Sequence, residues 1–334
     1  MWKNIQPSFQ FTNNSIKQHK AFEEFDTINA LIDWEQIISI LNVLIANKKN
    51  RLGASPYAPT MMFKVLLLQS LHNLSDVKME NMLARDLLFR QFVGLHQNDS
   101  IPDHSSIWRF REKLEKANLV TVLFDNINQQ LAEQSIIVQK GSVSIIDATV
   151  IKALNNRPNK DKVGKNTQDE DASYNLKTGS DGKMKTTYGF KGHIACDEDG
   201  FVTQAVVTTG KLHDSQVFEE LLTGNEVEVY ADSAYASEKT AKQLESKGIE
   251  NKILKRAYRN KPLTKEDKAF NRVCSGIRSR VESIFGLGKM HLGMGQARYK
   301  GLKRNALSFS MRCMVLNLKR ATTIKKELEQ SQAN

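Results

Sequence analysis

Hydrophobic residues recur at intervals of three and four through much of the first 140 positions. One apolar stripe runs from Ile28 to Ile45, and helical spacing continues from Thr60 to Leu95. Leu74-Ser75-Asp76 indicates a turn with a helix cap, and the polar residues before Ile107–Leu114 offer further N-caps. The pattern predicts an all-helical N-terminal domain over residues 1–140.

The spacing changes after residue 140, where short apolar runs alternate with helical segments. Ser142–Ile151 is rich in β-branched residues and predicts a buried strand that carries Asp147 at or near its end. Further strands are expected at Tyr188–Cys196, Phe201–Thr209 and Glu226–Ala231, the first two as a hairpin and the last ending at Asp232. Helical spacing covers four later segments: Ser215–Leu222, Ser237–Lys247, Lys265–Phe285 and Lys303–Ala321.

This order of elements predicts the mixed α/β class, with a mixed sheet flanked by helices behind the all-helical domain. We assign residues 141–322 to the sheet domain and residues 323–334 to a C-terminal tail. Residues 155–187 contain few apolar side chains and predict a long, exposed polar loop within the sheet domain.

The positive charge of the chain is concentrated in one segment. The net charge is +11, and residues 251–320 hold 18 Lys or Arg against three acids. Such a segment favours a polyanionic partner over a merely solvated surface. No apolar run reaches membrane-spanning length, so we expect no membrane partner. Three widely spaced cysteines and the absence of a signal-peptide pattern lead us to expect a cytoplasmic protein.

Three acids stand out by their positions: Asp147 and Asp232 at predicted strand ends, and Glu282 on a predicted helix. Oxygen ligands of this kind suit Mg²⁺ or Mn²⁺, and two such ions together support phosphodiester cleavage. Two of these acids also have simpler explanations. Asp232 could cap the following segment, and Glu282 could pair with Arg278 at a spacing of i,i+4. The spacing alone leaves open whether the three acids converge.

The chain resembles the DDE transposases of the bacterial insertion sequence 5 family from about Pro59 to Ala321. The order and number of the matching stretches make the resemblance more specific than any single motif. They are Leu74-Ser75-Asp76, Phe89–Leu95, Pro102–Leu114, Ile146–Ala153, Tyr188–His193, Leu212–Ser215, Tyr230–Asp232, Arg278, Val281, Glu282, Phe285, Gly286 and Lys289.

The resemblance implies a ribonuclease-H-like catalytic fold whose acidic triad is Asp147, Asp232 and Glu282. It also implies accessory roles for Arg278 and Lys289 near the scissile DNA end. Related families often carry a tyrosine three residues before the arginine of this motif. Here that position is Ser275, so a role assigned to the tyrosine does not transfer.

The expected activity is cleavage of DNA at the ends of an insertion sequence, followed by strand transfer into target DNA. Mg²⁺ would serve as cofactor, with Mn²⁺ able to substitute, and a homodimer would hold the paired terminal inverted repeats of double-stranded DNA. Two alternatives stay open: a non-catalytic DNA-binding regulator of the element, and a metal-dependent nuclease without strand transfer.

Contacts to DNA are expected from two groups of basic residues. Arg109, Arg111 and Lys113 lie on a possible helix-turn-helix, although a solvated helix face explains them equally well. Reading of the terminal repeats would fall mainly to this helical domain. In the basic segment the candidates for phosphate contact are Arg280, Arg298, Lys300, Lys303 and Arg304.

Three further residues near the motifs are expected to be structural rather than catalytic. His193 and His213 fall in matching stretches, but buried or hydrogen-bonded histidines are more often structural than ligands. Tyr235, which follows Asp232 by three residues, is expected in the core.

Overall fold

Helices fill the N-terminal region of the computed structural model, which describes residues 23–44, 56–96, 98–137, 142–155, 168–178, 182–258 and 261–333. Ser75 accepts from the backbone N–H of Lys78, and Asp103 accepts from that of Ser106, as the sequence predicted for helix caps. In the described residues the helices are α1 Glu23–Leu31, α2 Trp34–Leu41, α3 Pro59–Leu71, α4 Asp76–Arg85, α5 Leu87–Val93, α6 His104–Lys116 and α7 Leu119–Glu133.

Six strands form one mixed sheet in the part of the chain that the structure describes. The strands are β1 Val143–Lys152, β2 Ser173–Thr178, β3 Met184–Cys196, β4 Val202–Thr209, β5 Glu228–Ala231 and β6 Glu250–Asn251. β1 pairs antiparallel with β3 and parallel with β5, which pairs in turn with β6. β3 also carries β2 along its first half and β4 along its second half.

Helices cover both faces of this sheet. The helices are α8 Glu238–Ser246, α9 Lys265–His291 and α10 Leu302–Ala333. Side chains that point to opposite faces of β1 fall in two separate cores: Ile145 lies with Val281 of α9 and Phe309 of α10, whereas Ile146 lies with Leu244 of α8. The predicted α/β class, with a mixed sheet flanked by helices, is therefore confirmed.

One hydrophobic core joins the N-terminal helices to the sheet. Leu68 of α3, Leu123 of α7 and Ile194 of β3 all belong to it, with Leu318 of α10 between them. α10 contacts α3, α7 and β4 along its length. The sequence division at residue 140 therefore does not separate two independent cores, and residues 138–141 themselves lie outside the described residues.

Two expectations about irregular segments were wrong. The described part of the predicted loop at 155–187 contains β2 and the start of β3, which pair from Ser173↔Gly189 to Thr178↔Met184. Ladder hydrogen bonds hold these strands even though their side chains are polar and give no apolar alternation. The predicted tail at 323–334 continues α10 as far as Ala333. Residues 156–167 of the loop lie outside the described residues.

No helix in the described residues is both long enough and apolar enough to cross a membrane.

A buried amide joins three elements at the centre of the shared core. Asn317 of α10 is fully buried; its Oδ1 accepts from Val202 N at 2.8 Å, and its Nδ2 donates to Val202 O and to Asn128 Oδ1. We expect Asn317→Ala to lower the free energy of unfolding by about 1–3 kcal/mol per buried group left unsatisfied. Urea denaturation of the full chain measures this difference.

The matched control is Thr323→Ala, an exposed position on the same helix whose hydroxyl bonds only to Lys319 O. It should leave the unfolding free energy nearly unchanged. Equal effects from the two substitutions would contradict the role assigned to Asn317.

Candidate active site

Two of the three predicted acids meet where β5 ends beside β1. The parallel register pairs Ile146 with Ala231, the last residue of β5, so Asp147 and Asp232 are the next residue on each strand. Because Ile145 and Tyr230 share the face covered by α9, the alternation of side chains directs Asp147 toward that face too. Asp232 caps the turn at Ser233–Tyr235 by accepting from Ser233 N at 2.5 Å, so its alternative role as a cap is also observed.

The position of Asp147 within its strand differs from the prediction. Asp147 lies in the middle of β1, which continues to Lys152 because β3 pairs with it as far as Lys152↔Gly189. The strand end that matters is that of β5. The acid therefore lies where a strand on one side stops and leaves the β1 edge open.

The other predicted site residues lie on α9, the helix that packs against this face of the sheet. A capping box between Thr264 and Asp267 starts this helix, and it continues without a break through Gly286 and Gly288 to His291. Arg278, Glu282 and Lys289 therefore share one uninterrupted helix. The Arg278 side chain is buried and reaches Asp147, with 3.3 Å between Nη2 and Oδ2. The structure thus pairs Arg278 with Asp147 instead of Glu282.

The charges around Asp147 act on it in opposite directions. Burial raises the pKa of its carboxyl above the usual value, and the nearby carboxylates of Asp232 and Glu282 raise it further. The backbone N–H of Ala148, 2.8 Å from Oδ1, and the guanidinium of Arg278 lower this pKa. All three predicted acids therefore act within one electrostatic neighbourhood, in which Arg278 supplies the cation.

Glu282 is the most accessible member of this group. Its side chain is exposed on α9, whereas that of Asp147 is 21% exposed and Asp232 is half-buried. Three carboxylates offer oxygen donors only, which suits Mg²⁺ or Mn²⁺ better than a softer metal. Across the described residues, no group of three or more His, Cys, Asp or Glu side chains is gathered closely enough to hold a metal ion. The donor chemistry thus fits a divalent metal, while Arg278 contacts Asp147 in this arrangement.

The comparison with protein families shows which family the chain belongs to. The family model described as "Transposase DDE domain" matches residues 138–318, which is more than half of the chain. A second model, "Transposase domain (DUF772)", matches residues 13–113. The chain belongs to the DDE transposase family. It is an enzyme of DNA cleavage and strand transfer, in agreement with the resemblance to insertion sequence 5 transposases.

Two solved transposase structures are similar at low identity. A cryo-EM structure of a piggyBac transposase synaptic complex with hairpin DNA is 11% identical, with a TM-score of 0.45, over 92% of this chain and 75% of that chain. A crystal structure of a pre-cleavage Mos1 transpososome is 7% identical, with a TM-score of 0.20, over 91% of this chain and 97% of that chain. At these scores neither likeness adds to the family assignment.

On α6 of the transposase, the three basic residues predicted to contact DNA have different environments. Arg109 and Lys113 are exposed. Arg111 is only 3% exposed; its Nη2 donates to Asp76 Oδ1 at 2.5 Å and to Gln69 Oε1 at 2.8 Å. The guanidinium also stacks on the ring of Tyr299, 4.6 Å from its centroid. The donors of Arg111 are therefore used inside the protein, which counts against the predicted contact with DNA.

The predicted DNA-contact residues of the basic C-terminal segment divide in the same way. Arg280, Lys300 and Lys303 are exposed. Arg298 donates to the carbonyl oxygens of Asn73 and Leu74, which links the loop after α9 to the N-terminal helices. Arg304 is bidentate to Glu112 of α6, with Nε 2.6 Å from Oε1 and Nη2 3.2 Å from Oε2. Both arginines join the C-terminal segment to the N-terminal helices. Only Arg304 is neutralised by a carboxylate, so its availability to DNA is reduced.

The two histidines contribute to local structure. His193 is fully buried, bonds to Thr208 through Nε2 at 2.9 Å, and has its pKa lowered to about 4 by burial. His213 is exposed and starts a turn by accepting from Ser215 N. Both environments agree with the structural roles expected for them.

Tyr235 lies close enough to Asp147, Asp232 and Asp214 for their charges to act on it. Tyr235 is buried, as predicted, and its hydroxyl has no hydrogen-bond partner in the described residues. Burial raises its pKa, as do the charges of Asp214, Asp147 and Asp232. The Lys191–Asp214 ion pair, at 2.8 Å, was not predicted. The sequence feature that could have indicated this pair is that both residues lie in stretches that match the family: Lys191 in β3 and Asp214 just after β4.

The electrostatic account of Asp147 can be tested in the metal-free protein. We expect the pKa of Asp147 to fall in Asp232→Asn and Glu282→Gln, because each removes a like charge. It should rise in Arg278→Gln, which removes the neighbouring cation. Carboxyl-carbon NMR of selectively labelled protein measures all three shifts. An unchanged Asp147 titration in Glu282→Gln would show that α9 does not bring its acid to the site.

Substitution on α6 separates structural from surface arginines. We expect Arg111→Ala to lower the free energy of unfolding by about 3–5 kcal/mol, since it leaves the Asp76 carboxylate without its largely buried cation. The exposed Arg109→Ala should change stability by less than about 0.5 kcal/mol. Denaturant unfolding measures both, and a stable Arg111→Ala variant would restore Arg111 as a candidate for DNA contact.

Proposed function

We propose that Asp147, Asp232 and Glu282 together hold Mg²⁺, for which Mn²⁺ can substitute, as the catalytic centre of a two-metal-ion transposase. The register that ends β5 beside Asp147 supports this most directly, because it sets two carboxylates side by side under the helix that carries the third. The raised pKa of Asp147 supports it as well, since a bound cation would offset both the burial and the neighbouring carboxylates that raise that pKa.

The chain's own residues divide the work between positioning and charge. Asp147 and Asp232 are carried by the paired strands and are fixed further by backbone N–H donors from Ala148 and Ser233. Bound divalent ions would activate the attacking oxygen and stabilise the leaving oxygen. Arg278 reaches the same centre from α9, where its guanidinium can bind a phosphate oxygen of the scissile strand.

In the proposed reaction, water attacks a phosphodiester at each end of the element and leaves a free 3′-hydroxyl. That hydroxyl then attacks a phosphodiester of the target DNA in the same site, and the target strand leaves through its own 3′ oxygen. Lys289 lies seven residues after Glu282 on α9 and would hold DNA beside the reacting bond.

The partners follow from this reaction. The substrates would be double-stranded DNA with the terminal inverted repeats of the element, and target DNA. Two ends must be cut together, so we propose a homodimer on paired ends. We propose the cytoplasm as the compartment, which suits the three buried and free cysteines, Cys196, Cys274 and Cys313.

Cleavage of a duplex that carries the element's end, taken from DNA flanking the coding sequence, tests the triad. We expect Asp147→Asn, Asp232→Asn and Glu282→Gln each to reduce cleavage with Mg²⁺ by more than about 100-fold, since loss of second-shell partners alone costs 10–100-fold at metal sites. The matched control is Glu238→Gln, an exposed acid at the start of α8 that pairs only with Lys242. It should cut at the wild-type rate.

The outcomes also separate the alternative functions. Variants of the triad that still cut would show that the catalytic acids lie elsewhere. Wild type that binds the ends but never cuts, with Mg²⁺ or Mn²⁺, would favour a DNA-binding regulator. Cleavage without joined products, in the presence of target DNA, would favour a nuclease without strand transfer.

A further inference from the structure

A groove lined by cations lies beside the end of β1, where the N-terminal helices, the loop after α9 and α10 meet. Its volume is about 720 Å³. Lys152, Lys289, Arg298 and Arg312 line it, and none of its lining residues is acidic. Within the described residues, this groove therefore carries four positive charges and no carboxylate of its own.

Backbone pairing fixes the walls of the groove. Lys152 N donates to Gly295 O at 3.0 Å, and Ala297 N donates to Lys152 O at 2.7 Å, so the loop after α9 runs as an added edge beside β1. Arg298 reaches from this loop to the carbonyl oxygens of Asn73 and Leu74. These carbonyl oxygens accept hydrogen bonds from the Arg298 guanidinium. They carry no formal negative charge, so they do not neutralise it.

Arg312 is the most unusual side chain in this groove. It is 5% exposed, and its guanidinium has no hydrogen-bond or ion-pair partner among the described residues. Burial and the neighbouring charge of Arg298 lower its pKa to about 10, so it remains a cation at neutral pH. Apart from burial, the titratable groups that influence this pKa are Arg298, Tyr299 and Cys313, and none of them is a carboxylate.

A buried cation of this kind is unfavourable for the isolated fold. An apolar side chain of similar volume at this position of α10 would be buried without the loss of hydration that a guanidinium suffers. Arg312 sits within the apolar run Met311–Val315, where packing alone would favour such a residue. A ligand with negative charge would compensate the cost, and a guanidinium is well shaped to bind phosphate through two donors.

A short length of DNA strand spans the distance between the triad and the groove. Lys152 follows Asp147 by five residues on β1, and Lys289 follows Glu282 by seven residues on α9. These separations correspond to about 17 Å along the strand and about 10 Å along the helix. Since B-DNA rises about 3.4 Å per base pair, three to five nucleotides span the interval.

We propose that Arg312, with Lys152, Lys289 and Arg298, forms a subsite for a backbone phosphate of DNA a few nucleotides from the scissile bond. The proposal rests on the proposed function for the location of the scissile bond. Arg312 is a binding residue in this subsite, and the ligand provides the anion that the fold itself does not supply.

The test measures binding of the full chain to the element-end duplex without metal, across a series of salt concentrations. We expect Arg312→Met to reduce the slope of log K against log salt by about 0.9, the value for one phosphate contact. Arg312→Lys should keep most of the slope because it keeps the charge. Lys152 is exposed on the opposite wall of the groove, and Lys152→Gln should also lower the slope.

The matched control is Arg320→Met, on the same helix, where the guanidinium donates to Asp199 O at 3.1 Å. It should leave the slope unchanged. A scan with single neutral methylphosphonates in the duplex then locates the contact. A methylphosphonate at one position should weaken binding of the wild type and have no effect on binding of Arg312→Met. Thermal melting of Arg312→Met should be no lower than that of wild type, because a buried charge has been removed.

Several results would overturn the subsite. They are an unchanged slope in Arg312→Met and Lys152→Gln, an equal fall in Arg320→Met, or a lower melting temperature of Arg312→Met with an unchanged slope. Failure of the proposed function is a separate result. Wild type that never cuts with Mg²⁺ or Mn²⁺ rejects that function, whereas the salt slope is measured without metal.

Discussion

The parallel pairing of β1 with β5 is the constraint on which the active site depends. β1 is held along its whole length by β3, but β5 accompanies it only as far as Ile146↔Ala231. Ending one partner strand while the other continues exposes the edge of β1 at Asp147 and brings Asp232 beside it. A shift of one residue in this register would turn Asp147 to the opposite face and away from α9.

Arg278 makes that arrangement compatible with a folded protein. Two aspartates and a glutamate in one neighbourhood repel one another, and burial adds to the cost of ionising Asp147. The guanidinium of Arg278, buried on α9, compensates part of this charge at 3.3 Å. The repulsion among these acids is therefore compensated only when α9 has packed on the sheet. Folding and assembly of the site are linked for this reason.

The sequence predicts the elements of this fold better than it predicts their ends. The hairpin of β3 and β4 and the helices around them follow from hydrophobic spacing, which is a local property. β2 does not, because its ladder forms between backbone groups and its side chains are polar. Asp147 was expected near a strand end, but the length of β1 depends on β3, a segment some forty residues further along the chain.

For the candidate site, residue types could be predicted but burial could not. The order of Asp147, Asp232 and Glu282 is a feature of the sequence, and the family model matches the segment that contains all three. Arg111 was grouped with Arg109 because both lie on one predicted helix. Its partner Asp76 is 35 residues earlier, and nothing local indicates that the two side chains meet. Long-range ion pairs of this kind are set by packing.

The difference between residue type and packing also changes how the basic C-terminal segment is interpreted. Arg298 and Arg304 use their charge or donors to join the loop after α9 and α10 to the N-terminal helices. Arg304 has a carboxylate partner, Glu112, so it adds little to the field at the surface. Arg298 binds neutral carbonyls and keeps its charge beside Arg312, which has no counterion in the described residues. The cations without acid partners are therefore concentrated beside β1, and in the proposed subsite they are the groups along which a DNA strand would approach the triad.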